Sequence, residues 1–132
     1  MERVRERLAI AQKALIALKN AVERKKLSEL ERDGAIQRFE FTYEAVWSAV
    51  QTYLNDIEKI NVTSPRGIVR ESFKAGLLDE EKARKLMDIV DDRNRTVHTY
   101  NEELAQTIFK RLAGHEDVME EWLKAVEDHL VE

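Results

Sequence analysis

Apolar positions along the chain recur at spacings of three and four residues, the period of one face of an α-helix. From about Glu2 to Glu31 the stripe is Leu8, Ala11, Leu15, Leu18 and Val22. Asp33-Gly34 then reads as a break, with Asp33 as the N-cap of the next helix. The second stripe is the most regular. Ile36, Phe39, Tyr43, Val46, Val50, Tyr53, Ile57 and Ile60 alternate steps of three and four, a seam that requires partner helices. Glu40, Trp47 and Leu54 form a row beside it, in which Glu40 reads first as a solvated residue near the helix start.

Asn61-Val62-Thr63 is a loop, and Ser64-Pro65 supplies an N-cap with proline at the first helical position. A short third helix runs from there to about Ala75, with Gly76 at C′. Asp79 caps a fourth helix reaching about Val97, with the stripe Ala83, Leu86, Val90 and Val97. Thr99-Tyr100-Asn101-Glu102 has the form of a capping box opening a fifth helix. Its stripe is Leu104, Ile108, Leu112, Val118, Trp122, Val126 and Leu130, and Gly114-His115 is a place for a kink. No strand pattern competes. Long helices with short connections predict an all-α, up-and-down four-helix bundle with an additional short helix, one domain over residues 1–132.

Composition agrees. Charged residues make up 36% of the 132, against about 25% in an average domain. There are one proline and four glycines. Cysteine is absent, which removes thiol catalysis, cysteine-bound zinc and disulfides. No apolar run is long enough to span a membrane, and Met1 to Arg7 is charged rather than signal-like. The chain therefore reads as soluble and cytoplasmic. A net charge of −4 argues against a general nucleic-acid coat protein. The charge is uneven, however: residues 101–132 sum to −6 and everything before them to +2.

Candidate chemistry concentrates in Asp91-Asp92-Arg93-Asn94-Arg95-Thr96-Val97-His98-Thr99-Tyr100. On a helical wheel centred on Val90, Arg93 falls at about 300° and Asn94 at about 40°, both within the apolar stripe. An arginine there is either paired with a carboxylate, Glu40 being one candidate, or faces a cleft or subunit interface. As an anion site, Arg93 clamps phosphate, Asn94 orients and His98 moves a proton. Arg66, Arg70 and Lys74 form a basic row, either solvated or phosphate-binding, with Arg95 nearby in sequence. Asp91, Asp92, His115 and His129 read as solvated. Three scattered histidines offer no zinc spacing, and no phosphate loop or serine-nucleophile motif is present. No metal or cofactor is therefore expected.

Arg93-Asn94-x3-His98-x-Tyr100 resembles the signature of HepT-type toxins of the HEPN superfamily. Gln37 to Glu44, Ser64-Pro65-Arg66 and Phe73 to Leu77 resemble its branch of nucleotidyltransferase substrate-binding proteins. The resemblance spans about residues 35 to 110. It implies a homodimer whose two motifs meet at the axis, and a metal-independent endoribonuclease with Arg93, Asn94 and His98 as catalytic residues. It further implies a small nucleotidyltransferase partner, an MntA-like antitoxin, that silences the enzyme by AMPylating Tyr100. RNA would be the substrate, with Arg66, Arg70, Lys74 and Arg95 as phosphate contacts. The alternatives are a non-catalytic accessory subunit of the nucleotidyltransferase and a purely structural bundle with Arg93 in an ion pair.

Overall fold

The computed structural model describes residues 1–24, 27–97 and 101–130. Its helices are α1 (Glu2–Val22), α2 (Glu29–Asp56), α3 (Pro65–Lys74), α4 (Glu80–Thr96) and α5 (Glu102–Leu130). Among the described residues there is no strand, and no helix is long and apolar enough to cross a membrane. The fold is the expected all-α, up-and-down bundle of four main helices with one short one.

Side-chain contacts give the directions. Arg3 reaches Asp56 and Arg7 reaches Ser48, so α1 and α2 are antiparallel. Gln12 meets Glu127 across α1 and α5. Lys82 meets Glu121 and Asp92 meets Arg111, so α4 and α5 are also antiparallel. Trp47 sits edge-on to Trp122 at 4.8 Å, and Phe39 lies beside His115, so α2 and α5 run parallel through the centre. The α2 seam delivers Phe39, Tyr43, Val46, Val50 and Tyr53 to one hydrophobic core shared by all five helices. Ile57 and Ile60 lie past the end of α2 but still pack against that core.

Caps decide where the helices begin. The first helix stops at Val22, short of Glu31, and α2 begins before Asp33-Gly34 instead of after it. The reason is a capping box: Ser28 Oγ accepts the Glu31 amide, and Glu31 Oε1 accepts the Ser28 amide, both at 3.1 Å. Gly34 is an ordinary helical residue with open space around its Cα. Ser64, Pro65, Gly76 and Asp79 take their expected positions, Gly76 with φ +81°. Asn101 Oδ1 accepts the Leu104 amide at the start of α5. Thr99, the expected cap, lies outside the described residues. Gly114 does not interrupt α5.

The crossover from α2 to α3 is pinned by α2 itself. Trp47 Nε1 donates to the Pro65 carbonyl and Gln51 Nε2 to the Val62 carbonyl, while Asn55 Oδ1 accepts the Val62 amide. Gly67 closes this corner, because a Cβ there would lie 2.5 Å from Ser64 Oγ and 2.9 Å from Val62 Cγ2. With α3 fixed against both α2 and α4, the C-terminal end of α4 is brought onto α2 at Glu40 and Glu44.

Two glycine substitutions test this account in opposite directions. Gly34→Ala should raise stability by roughly 0.5–1 kcal/mol, the cost of glycine inside a helix. Gly67→Ala should lower it by about 1–2 kcal/mol by forcing the Ser64 cap off its amide. Urea melts of the two variants would measure both, and a destabilised Gly34→Ala would contradict the continuous α2.

Candidate functional site

The last turns of α4 carry two charged arrangements of different character. On the side facing α2, Arg93 is half-buried, its side chain 21% exposed. Its Nη2 lies 3.4 Å from Glu44 Oε1, its Nη1 3.9 Å from Glu40 Oε2, and its guanidinium carbon 5.8 Å from the centre of the Tyr43 ring. Nε has no hydrogen-bond partner among the described residues. These contacts are long for a charge-assisted pair. Glu40 is not simply solvated, since it also accepts from Thr96 Oγ1 at 2.9 Å. Burial, with the neighbouring Glu44 charge, pushes the Tyr43 hydroxyl up to about 12, against the opposing charges of Arg93 and Arg66. Tyr43 is thus a neutral platform beneath the Arg93 guanidinium.

On the side facing α5, Asp92 is fully buried, which overturns its reading as a solvated residue. Its Oδ1 accepts from Arg95 Nη1 and Arg111 Nη1, each at 2.7 Å, and its Oδ2 lies 2.7 Å from His115 Nε2. His115 is buried too, not solvated, with its ring 5.7 Å from that of Phe39. Burial pushes the Asp92 carboxyl up. The hydrogen bonds from His115 and Arg95 and the charges of His115 and Arg111 outweigh it and hold the group below the usual carboxylate value. A buried charge survives only with such partners. Both residues escaped the sequence reading, although His115 sits on the α5 stripe between Leu112 and Met119.

The other expected residues divide. Asn94 is exposed and lies off the apolar face. The buried positions of α4, Leu86, Ile89, Val90 and Asp92, span an arc of about 160° centred on the Arg93 side, which leaves Asn94 outside it. Arg66 is half-buried and pairs with Asp91, which is therefore not simply solvated. Arg70 is exposed, and Lys74 is exposed and pairs with Glu71. His129 is exposed as expected. His98 and Tyr100 lie outside the described residues, in the connection between α4 and α5. The two ends of that connection border a cleft of about 370 Å³ lined by Glu40, Arg95, Thr96, Asn101, Ile36 and Leu104, among others.

One further carboxylate stands apart. Glu116 on α5 is 2% exposed. Burial first, then its hydrogen bond to Glu120 and the charges of Glu120 and Asp117, raise its pKa from 4.5 to about 7, against the pull of Lys19.

Asp92 and Glu116 should therefore shape stability with opposite signs. The lowered Asp92 pKa stabilises the fold above the unfolded-state value and is lost as pH falls. Asp92→Ala should cost about 3 kcal/mol at neutral pH, as expected when a buried pair loses one member. The raised Glu116 pKa means the folded state holds the extra proton, so stability falls as pH rises from 4.5 to about 7. Glu116→Gln should flatten that slope and melt a few degrees above the wild type at pH 8. Thermal melts from pH 2 to 8 check both, and a steeper slope in Glu116→Gln would contradict the assignment.

Comparisons with known proteins bear on the whole chain. A family model described as nucleotidyltransferase substrate binding protein like matches residues 6–128. A crystal structure of a Thermus thermophilus protein is 47% identical, with a TM-score of 0.84, over 88% of this chain and 98% of that one. A Haemophilus influenzae protein named probable ribonuclease HepT is 31% identical over 83 residues. That match covers 60% of this chain and 56% of the relative, so the chain spans little more than half of that relative's length. With the family model matched from α1 through most of α5, and with the motif order that links it to HepT, this protein belongs to the nucleotidyltransferase substrate binding protein like family.

Proposed function

We propose that the protein is a HepT-like endoribonuclease toxin, acting without metal as a homodimer. In this reading a partner nucleotidyltransferase antitoxin neutralises it by AMPylating Tyr100. The observation that carries the reading is Arg93: a half-buried guanidinium at the α2–α4 seam that, among the described residues, makes long contacts to Glu44 and Glu40 and lies over the Tyr43 ring. The Glu44 side chain is mostly exposed, and such pairs contribute about 0–1 kcal/mol. A phosphate offering two oxygens to the guanidinium fork displaces them at little cost. A structural arginine would instead be locked as Asp92 is. The HepT name of the relative supports the same class of activity.

The chemistry then runs through the motif. An RNA 2′-hydroxyl attacks the adjacent phosphorus and loses its proton with the help of His98. Arg93 stabilises the charge that develops on the phosphoryl oxygens. The 5′-oxygen leaves and takes up a proton, and Asn94 helps to position the reacting groups. The net basic charge of the residues before 101 suits transient contact with RNA despite the −4 of the chain. In silencing, the Tyr100 phenol oxygen attacks the α-phosphorus of ATP. The bond to the β-phosphate breaks, pyrophosphate leaves and the phenol proton is lost. The attached AMP brings bulk and negative charge beside the phosphate site.

The second reading is a non-catalytic accessory subunit of the nucleotidyltransferase, which the description of the matched family favours.

Purified protein in chelator should cleave RNA. Arg93→Ala and His98→Ala should each lower the rate by about 10²–10³-fold. Arg93→Ala should keep a cooperative melt close to the wild type, because its pairs are loose. Co-expression with a partner nucleotidyltransferase should add AMP to the intact mass, and Tyr100→Phe should abolish the addition. A stable complex that neither cleaves RNA nor gains AMP would favour the accessory subunit.

A further inference from the structure

The Asp92 cluster has a feature that stability alone does not require. Two guanidiniums from different helices, Arg95 on α4 and Arg111 on α5, converge on one oxygen, Asp92 Oδ1. Each uses a single Nη1, and among the described residues neither makes another hydrogen bond or ion pair. Four of the five N–H donors of each fork are thus unspent. Their side chains are 49% and 44% exposed while the carboxylate beneath them is fully buried. One negative charge holds two positive ones, which leaves a fixed local excess of positive charge at the surface. His115 grips the other carboxylate oxygen and packs against Phe39, so the anchor cannot swing away.

Position gives this pair a ligand. Arg95 lines the 370 Å³ cleft together with Glu40 and Thr96, the neighbours of Arg93. Arg111 borders a second groove of about 300 Å³ between α4 and α5, with Lys85, Lys110 and His115, and with Asp88 as its acidic member. The two arginines therefore bridge the cleft beside Arg93 to a mainly basic groove farther along the same two helices. An extended polyanion leaving the motif would pass over them.

We propose that Arg95 and Arg111, clamped on Asp92, form a second phosphate-binding subsite that holds the RNA backbone away from the scissile phosphate. The inference rests on the ribonuclease reading and adds Arg111 to it as a binding residue, with Asp92 and His115 as positioning residues. Two planar forks meeting at one point suit a phosphodiester, whose two free oxygens can take one fork each. The subsite is specific for backbone and indifferent to base.

The test is binding of a single-stranded 2′-O-methyl oligoribonucleotide, which lacks the attacking hydroxyl and stays intact, measured by fluorescence anisotropy over a range of salt. Arg111→Gln and Arg95→Gln should each weaken binding about five- to tenfold at low salt. Each should also reduce the slope of log K against log salt by about 0.7, one phosphate contact on a single strand. In cleavage assays Arg111→Gln should raise KM with little change in kcat. Arg111→Lys should recover only part of the affinity, since it restores the charge but not the fork. Arg84→Gln removes an equal charge from an exposed α4 position paired with Glu80 and should bind as the wild type does. If Arg111→Gln and Arg84→Gln bind alike while the wild type binds and cleaves RNA, the subsite is wrong and the ribonuclease reading stands. If the wild type neither binds nor cleaves RNA, both fall.

Discussion

The constraint on which the site depends is the burial of one charge. Asp92 has no access to water, so its carboxylate must be satisfied by the protein. Its donors come from its own helix, Arg95, and from α5, Arg111 and His115. This ties the last turns of α4 to the middle of α5, and through His115 and Phe39 to the centre of α2. The connection carrying His98 and Tyr100 begins directly after this clamp. A hydrophobic contact at the same place could slide, but three donors on one carboxylate specify a single register.

The same turns show a contrast between structural and available charge. Asp92 is held by three contacts of 2.7 Å and its pKa is lowered in spite of burial. Arg93, the next residue, points to the other side and rests on contacts of 3.4 and 3.9 Å over a neutral tyrosine. Consecutive residues on a helix lie about 100° apart, so one turn fixes its position with the first and offers a cation with the second. The ribonuclease reading assigns Arg93 to the substrate because its long contacts leave the guanidinium available.

Much of the fold was legible because it rests on local chemistry. The α2 seam, the Ser64-Pro65 start, Gly76 with positive φ and the Asp79 cap all follow from residues within a few positions of one another. The end of the first helix was misread because Asp33-Gly34 is a common breaker, whereas Ser28 and Glu31 cap reciprocally three residues apart. The site was legible only in part. Arg93 stood out on the wheel, and its pairing with Glu40 was anticipated. Asp92 and His115 did not stand out, because their partnership spans 23 residues and the buried arc of α4 extends past its aliphatic residues to Asp92. His115 had a signal in the 4-3-4 spacing of Ile108, Leu112, His115 and Met119, which the acidic composition around it obscured.

The central claim is that this motif directs a 2′-hydroxyl onto its own phosphate, and the ends of the products report that step directly. RNA treated with the purified protein in chelator should yield upstream fragments ending in a 2′,3′-cyclic phosphate and downstream fragments beginning with a 5′-hydroxyl. His98→Ala should yield neither. Fragments with 3′-hydroxyl and 5′-phosphate ends, or identical products from the wild type and His98→Ala, would contradict the account.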